Sequence, residues 1–211
     1  MKLTTIRIGA IACAAILAGC EHVPDVNDAR KLYLAGTQAE AAGDDEIARD
    51  EFAGACEIAL KGGFGAGFEA QCLYEYAKAA GYTGKKAEAE KAFQDALARI
   101  DRASLPPQGL RASILSEYAR LLHDTRQHAK AVPAFEQALP EMRKQGMLDV
   151  DPVGFSVFLD DYADSLGAIG QAARAGEVSA ESAAIKARHR GEKPYFEARR
   201  YWAQPPAESA N

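Results

Sequence analysis

Residues 73–97 read LYEYAKAAGYTGKKAEAEKAFQDAL, two helix-forming stretches joined by a glycine-containing turn. In the second stretch Ala89, Phe93, Ala96 and Leu97 follow one another at intervals of four, three and one residues, which places them on one stripe of an α-helix. The first stretch carries a similar stripe that starts at Leu73. Because each helix then has one apolar face, we expect the two helices to pack together as a hairpin.

This hairpin pattern recurs along the chain. Phe93 is followed 42 residues later by Phe135, and the small and large apolar residues around it shift by the same interval. Phe52 precedes Phe93 by 41 residues in a similar setting, and a fourth copy starts at Leu159 but has Ser179 where phenylalanine is expected. The sequence therefore predicts three clear repeats and one degenerate repeat, with the phenylalanines buried between helices.

The composition favours an all-α fold, because alanine, glutamate, lysine, arginine and leucine dominate and runs of β-branched residues are few. The repeated pattern resembles the tetratricopeptide (TPR) repeat, in its longer variant found in kinesin light chains. The resemblance covers residues 29–189 and implies a right-handed α-solenoid of stacked helix-turn-helix units. The predicted helices span residues 29–41, 45–60, 67–80, 85–102, 109–123, 127–145, 152–168 and 171–189.

The resemblance also implies a binding groove. In the TPR family the first helix of each repeat lines a concave surface, where residues off the packing stripe contact a protein or peptide. A solvated helix face has much the same composition, so that interpretation stays open as well. The residues that the template assigns to the groove are Arg30, Tyr33, Thr37, Glu40, Gln71, Tyr74, Lys78, Ser113, Ser116, Arg120, His123, Asp160 and Asp164.

The N-terminus predicts export and lipidation. Lys2 and Arg7 precede a short uncharged run that ends in Leu17-Ala18-Gly19-Cys20, which is typical of a secretory signal and too short for a membrane span. Those last four residues resemble the bacterial lipobox, although a chance cysteine behind an ordinary signal is the alternative. The resemblance implies a signal peptide over residues 1–19, a diacylglycerol on Cys20, and a tether over residues 20–28. Glu21, in place of the aspartate that retains lipoproteins in the inner membrane, indicates the periplasmic face of the outer membrane.

Charge limits the class of partner. The chain has a formal net charge of −5, and removal of the two basic residues in the signal would make it more acidic. An acidic chain is a poor ligand for nucleic acid. We therefore expect a partner protein or peptide, no nucleic acid, and contact with the membrane only through the lipid.

The mature chain would keep two cysteines, Cys56 and Cys72. In an oxidising compartment such a pair is first interpreted as a disulfide. Two buried free thiols are the alternative, and a metal site is less consistent with the spacing because no second soft ligand lies two residues from either cysteine.

The C-terminus predicts a closing element. Tyr195, Phe196, Tyr201 and Trp202 surround two arginines, and a short helix over residues 190–203 could cap the last repeat. The alternative is an exposed binding hot spot. Residues 204–211 are expected to form a disordered tail.

No catalytic constellation is evident. The acidic residues of 160–164 are best explained as a solvated helix face, the histidines have no metal-ligand spacing, and the glycine-rich loop at 62–67 lacks the strand that a phosphate-binding loop requires. We therefore expect no enzyme activity, no cofactor and no metal. The favoured function is a membrane-anchored periplasmic adaptor that binds a protein through its concave groove. The alternative is a self-assembling structural component of an envelope, pilus or secretion complex.

Overall fold

The protein is all-helical. The structure, a computed structural model, describes residues 25–195 and 198–201, and no strand occurs among them. The helices are α1 (Val26–Ala42), α2 (Asp45–Gly62), α3 (Ala66–Tyr82), α4 (Lys86–Ile100), α5 (Leu110–Asp124), α6 (His128–Lys144), α7 (Met147–Val150), α8 (Pro152–Ala168) and α9 (Ala172–Arg188).

The ends of the helices have local causes in the sequence. Asp25 and Asp28 form a capping box at the start of α1: the Asp25 carboxylate accepts hydrogen bonds from the N–H groups of Asn27 and Asp28, and the Asp28 carboxylate accepts one from the N–H of Asp25. Asp151 caps α8, whose first residue is Pro152. Gly43 ends α1 in the left-handed conformation, which costs glycine little. The eight helices predicted between residues 29 and 189 are thus present, with boundaries within a few residues of those expected.

The helices pair and stack in chain order. Extensive contacts join α1 with α2, α3 with α4, α5 with α6, and α8 with α9, and each pair packs on the next. The result is a right-handed solenoid of four TPR-like repeats. Direct contacts also join α3 with α5 and α5 with α8. The first helices of successive repeats therefore lie on the inner, concave side.

Buried aromatic rings pack at the interfaces between successive repeats. Phe52, Phe93 and Phe135 are each fully buried. Phe93 lies between Tyr74 of its own repeat and Tyr118 of the next, with ring centroids 6.3 and 5.9 Å away. These contacts confirm that the recurring phenylalanine joins one hairpin to its neighbour.

The degenerate last repeat is held partly by polar contacts. On α9, Ser182 and Ile185 are buried. The hydroxyl of Ser182 lies 3.0 Å from the backbone oxygen of Ser156 and 2.6 Å from a carboxylate oxygen of Asp160 on α8, and its single proton can be donated to either acceptor. Hydrogen bonds to α8 thus take over part of the role that the missing phenylalanine has elsewhere.

The structure corrects two expectations about the chain after α6. The four-residue helix α7 was not predicted, because one turn carries no periodic signal. The predicted capping helix over residues 190–203 is wrong for the part that the structure describes. Residues 192–195 and 198–201, here called the C-terminal segment, are not helical. Gly191 with φ of 83° and Pro194 interrupt helix formation there, and the segment returns along the concave face.

Several predictions lie outside the described residues. They are the signal peptide over residues 1–19, the lipobox Leu17-Ala18-Gly19-Cys20, most of the tether, the rings of Phe196 and Trp202, and the tail at 204–211. The tether predicted to reach residue 28 ends earlier, because α1 already begins at Val26. Among the helices of residues 25–188, none has the length and apolarity needed to cross a bilayer.

Candidate functional site

The concave side holds a cavity of about 950 Å³. Its walls come from α3, α5 and α8 and from the C-terminal segment. The lining mixes aromatic, small polar and charged side chains: Tyr74, Tyr82, Ser113, Ser116, Glu117 and Arg120, with Ala198, Arg199 and Arg200 of the C-terminal segment among the others. A cavity of this size holds several side chains of a bound segment.

The structure brings four of the predicted groove residues into this cavity: Tyr74, Ser113, Ser116 and Arg120. Arg120 pairs with Glu117 on the same helix. Its Nε is buried and has no hydrogen-bond acceptor among the residues that the structure describes. A hydrogen-bond donor without an acceptor in a cavity wall favours binding of a ligand that supplies a carbonyl oxygen there.

A second group of predicted residues forms a polar network nearer the first repeat. The Lys78 ammonium lies 2.9 Å from a carboxylate oxygen of Glu40 and 2.8 Å from one of Glu75. Burial alone lowers the pKa of Lys78, but the two carboxylates outweigh burial and raise the pKa. Gln71 donates to the Tyr33 hydroxyl at 3.1 Å, and the pKa of that hydroxyl is raised to about 12, chiefly by burial. This network links α1 to α3.

Other predicted residues lie at the edges of the groove or outside it. Arg30 and Thr37 are exposed on α1, and Thr37 bonds the backbone of its own helix. Asp160 was assigned to the groove, and that prediction is wrong. Its carboxylate contacts Ser182 and Lys186 of α9, because in the last repeat this position faces the second helix.

Asp161, the next residue, faces the groove and contacts the C-terminal segment. The Arg200 guanidinium donates two hydrogen bonds to its carboxylate, at 2.7 and 2.9 Å, and a third to Asp124 at 3.1 Å. The side chain of Asp124 is fully buried and that of Asp161 is 8% exposed. The expectation that Asp161 belongs to a solvated acidic face is therefore wrong. The hydrogen bonds to Asp161 raise the pKa of the Arg200 guanidinium above its ordinary value.

Tyr201 is the most deeply placed residue of the C-terminal segment, with 3% of its surface exposed. Its ring stacks on Tyr82 at a centroid distance of 4.7 Å, and its hydroxyl donates to Glu117 at 2.7 Å. The backbone N–H of Tyr201 donates to Asp124 at 2.9 Å. Burial, together with the charge of Glu117, raises the pKa of the Tyr201 hydroxyl. Tyr201 thus neither covers the last repeat nor projects into solvent.

The Tyr201 ring packs so closely on α3 that the contacting residue, Gly81, must be a glycine. A Cβ placed on Gly81 would lie 2.5 Å from a carbon of the Tyr201 ring, a separation that real Cβ contacts do not reach. Gly81 is helical in α3, so it is present for space and not for an unusual backbone angle. The sequence pattern predicts Gly81 in the turn between two helices, and this prediction is wrong because Gly81 lies inside α3.

Arg199 turns toward the first repeat. Its guanidinium donates to both carboxylate oxygens of Asp45, at 2.8 and 2.6 Å, and lies 4.0 Å from the centroid of the Tyr82 ring. A planar guanidinium bonded twice to a carboxylate and stacked on an aromatic face is a geometry that lysine cannot reproduce. Sequence reasoning missed four residues of this site, because residues 199–201, which they contact, are distant in the chain. The four are Asp45, Tyr82, Glu117 and Asp124.

His123 lies at the end of α5, beside the same carboxylates. Its Nδ1 is 3.0 Å from Asp124 and its Nε2 is 3.1 Å from Asp164, and Asp161 is 3.9 Å away. Burial alone lowers the pKa of His123, but these carboxylates outweigh burial and raise the pKa. The ring also meets His128 edge-on, at 5.7 Å between centroids. Within residues 25–195 and 198–201, no group of histidine, cysteine and acidic side chains has the arrangement of a metal site.

Cys56 of α2 and Cys72 of α3 are neighbours in the core. Both are buried free thiols in the structure. A hydrogen bond with Cys72, together with burial, raises the pKa of the Cys56 thiol. The antiparallel packing of α2 and α3 thus brings the two sulfur atoms together, and their pairing as a disulfide stays a prediction.

The fold and the groove define a solenoid of TPR-like repeats. No protein-family model matches the chain, and no curated protein matches it either. Among solved structures, it is similar to BtubC (BKLC) from P. vanneervenii, with a TM-score of 0.69 and 18% identity over 83% of this chain and 70% of that chain.

Two further solved structures share the architecture. One is a kinesin light chain with nearly identical TPR-like repeats from Podospora anserina, with a TM-score of 0.59 and 20% identity over 78% of this chain and 77% of that chain. The other is MamA, with a TM-score of 0.57 and 15% identity over 78% and 82% of the two chains. At these identities the similarity establishes the fold, and the prediction of TPR-like repeats is confirmed at that level.

Proposed function

We propose that the chain is a protein-binding adaptor that holds an extended segment of a partner in its concave groove. The observation that carries this proposal is the cavity between α3, α5, α8 and the C-terminal segment. It lies where the first helices of successive repeats meet. A solenoid presents this surface as one continuous concave strip, which suits an extended ligand.

The side chains in the groove are of the kinds that bind peptides. Tyr74 offers an aromatic face, and Ser113 and Ser116 offer hydroxyls that can donate or accept. Arg120 offers the buried Nε–H that lacks an acceptor in the described structure. Hydroxyls and a guanidinium can bond to the main-chain oxygens of any segment, so these groups favour binding without specifying a sequence.

The proposal includes a lipid anchor at the periplasmic face of the outer membrane. Its support is the sequence Leu17-Ala18-Gly19-Cys20 behind a short apolar run, followed by Glu21. Acyl chains on Cys20 would contribute about 0.8 kcal/mol for each buried methylene. The adaptor would then present its groove close to the membrane surface.

The test of groove binding is crosslinking in intact cells, followed by mass spectrometry. Ser113→Trp adds a large side chain to the cavity wall and should abolish capture of the partners that the wild-type chain captures. The matched control is Ser179→Trp, which makes the same change at an exposed site on α9 and should leave capture intact. If Ser113→Trp retains every captured partner while circular dichroism shows a folded chain, the groove is not the binding site.

A further inference from the structure

We infer that the groove recognises two consecutive arginines followed by an aromatic residue, and that residues 199–201 of the chain itself fill this site until a partner segment of the same chemistry displaces them. This inference rests on the proposed function, because it names the partner chemistry of the same groove. It makes the C-terminal segment an internal ligand.

Each of the three side chains has its own binding position in the groove. Arg199 has a carboxylate and an aromatic face, Arg200 has two carboxylates, and Tyr201 has a ring to stack on and a carboxylate for its hydroxyl. A chain end that merely lay on the surface would not satisfy three consecutive side chains in this way. Bidentate arginine pairs and a buried tyrosine are also the contacts that dominate binding energy at interfaces.

The groove residues that contact these side chains are acidic. The carboxylates that bind residues 199–201 are those of Asp45, Glu117, Asp124 and Asp161, which belong to α2, α5 and α8. With the C-terminal segment in place, the side chains of Asp124 and Asp161 are almost fully buried, and the Arg200 guanidinium compensates the charge of these buried carboxylates. An incoming segment that covers these carboxylates again must therefore supply guanidinium groups to replace those it removes.

The contacts of residues 198–201 can be exchanged for those of another segment. Among the residues that the structure describes, no backbone-to-backbone hydrogen bond involves residues 198–201. The backbone contact of Tyr201 goes to a side chain, Asp124. Residues 198–201 are thus held by hydrogen bonds in which at least one partner is a side chain, and not as part of a helix or sheet. A segment of another chain with the same side chains can make the same contacts.

The consequence is competition between an attached and a free ligand. A segment linked by a short stretch of chain has an effective concentration in the millimolar range. A free peptide competes with the attached segment. Its apparent affinity is therefore its intrinsic affinity multiplied by the fraction of molecules in which the groove is open. Removing the internal ligand should raise the apparent affinity.

The experiment uses a fluorescent peptide with the sequence of residues 192–203 (EKPYFEARRYWA) and the full-length chain, with binding followed by fluorescence anisotropy. The variant Arg200→Ala with Tyr201→Ala removes two internal side chains and keeps every residue of the groove that contacts them. It should bind the peptide at least tenfold more tightly than the wild type. Arg199→Ala alone should give an intermediate affinity. Adding Asp161→Asn and Glu117→Gln to the double variant should abolish binding.

Matched peptides test the chemistry of recognition. A peptide with both arginines changed to glutamate, and a second with the two residues after them, tyrosine and tryptophan, changed to alanine, should each bind at least tenfold more weakly to the double variant. Equal binding of all three peptides would overturn the inference. So would equal affinity of the peptide for the wild type and the double variant, or no binding to either, provided that both show the same helix content by circular dichroism.

Sedimentation of the wild-type chain separates a second copy from a partner. If the wild type dimerises and the double variant does not, the groove is occupied by the C-terminal segment of another copy, and the inference of an internal ligand is overturned. If the peptide fails to bind but Ser113→Trp still abolishes capture in cells, the recognition chemistry is wrong and the adaptor function stands.

Discussion

The guanidinium of Arg200 forms two hydrogen bonds to the carboxylate of Asp161, 39 residues away in the chain, at 2.7 and 2.9 Å. This pair connects the C-terminal segment to α8. The adjacent Asp160 has the same side chain but contacts α9. Two consecutive aspartates thus serve two different interfaces, which provides a matched pair for mutagenesis.

The first prediction compares these two aspartates. Asp161→Asn should lower the free energy of unfolding by about 2 kcal/mol, because a mostly buried carboxylate that accepts charged hydrogen bonds is lost. Asp160→Asn should lower it by less than about 1 kcal/mol, because its ion pair with Lys186 is largely exposed and asparagine still accepts from Ser182. Urea denaturation at pH 7 measures both. Equal decreases in the free energy of unfolding for the two variants would contradict a specific contribution of the Arg200–Asp161 pair to stability.

The second prediction concerns pH. The folded-state pKa of His123 is raised, so the histidine contributes stability below about pH 6.5, its ordinary value, and the contribution is lost as the pH rises through the folded-state pKa. His123→Gln should remove this dependence, so that the wild type exceeds the variant in stability most at the acid end of a series from pH 5.5 to 8.5. His189→Gln, at the far end of α9, serves as the control. A difference that grows toward high pH would contradict the assigned direction.

The third prediction concerns the two core cysteines. In the oxidising periplasm that we propose as its location, the adjacent Cys56 and Cys72 should form a disulfide, which closes a loop of about 15 residues and contributes about 3 kcal/mol. Protein purified without reductant and then denatured should show no reactive thiol, and two after reduction. Reductant should lower the melting temperature of the wild type but not that of a Cys56→Ala, Cys72→Ala variant. Two reactive thiols before reduction would rule out the pairing.

The fourth prediction concerns the lipid anchor. Cys20→Ala should move the protein from the membrane fraction to the soluble fraction of broken cells, because the acylated residue is lost. Cys13→Ala, a change of the same kind inside the predicted signal, should leave the protein in the membrane fraction. Glu21→Asp should shift it from the outer to the inner membrane on a density gradient. Membrane association of Cys20→Ala equal to that of the wild type would exclude lipidation at this cysteine.

The repeats could be predicted from the sequence because their information is local. A helix with one apolar stripe leaves its period in the chain, and a recurring pair of such helices leaves a longer period. Phe52, Phe93 and Phe135 were therefore placed in the core correctly, and the helix boundaries followed from them. The single turn of α7 has no such period and was missed.

The C-terminal segment could not be predicted in this way. Its aromatic residues are consistent with a capping helix, and only the folded solenoid brings Asp124 and Asp161 to Arg200. The distinction between Asp160 and Asp161 is of the same kind. Neighbouring residues on a helix point about 100° apart, so an uncertain register in a degenerate repeat assigns the wrong one to the groove. Tertiary contacts decide such positions.

The reach of residues 199–201 also affects the mechanics of the whole array. Solenoid repeats usually contact only their neighbours, so they can unfold one at a time. Here three consecutive residues contact Asp45 in the first repeat, Tyr82 in the second, Asp124 in the third and Asp161 in the fourth. The first and last hairpins are thereby tied together across the arc. Release of that tie would loosen the curvature of the superhelix and divide one cooperative body into units that melt separately.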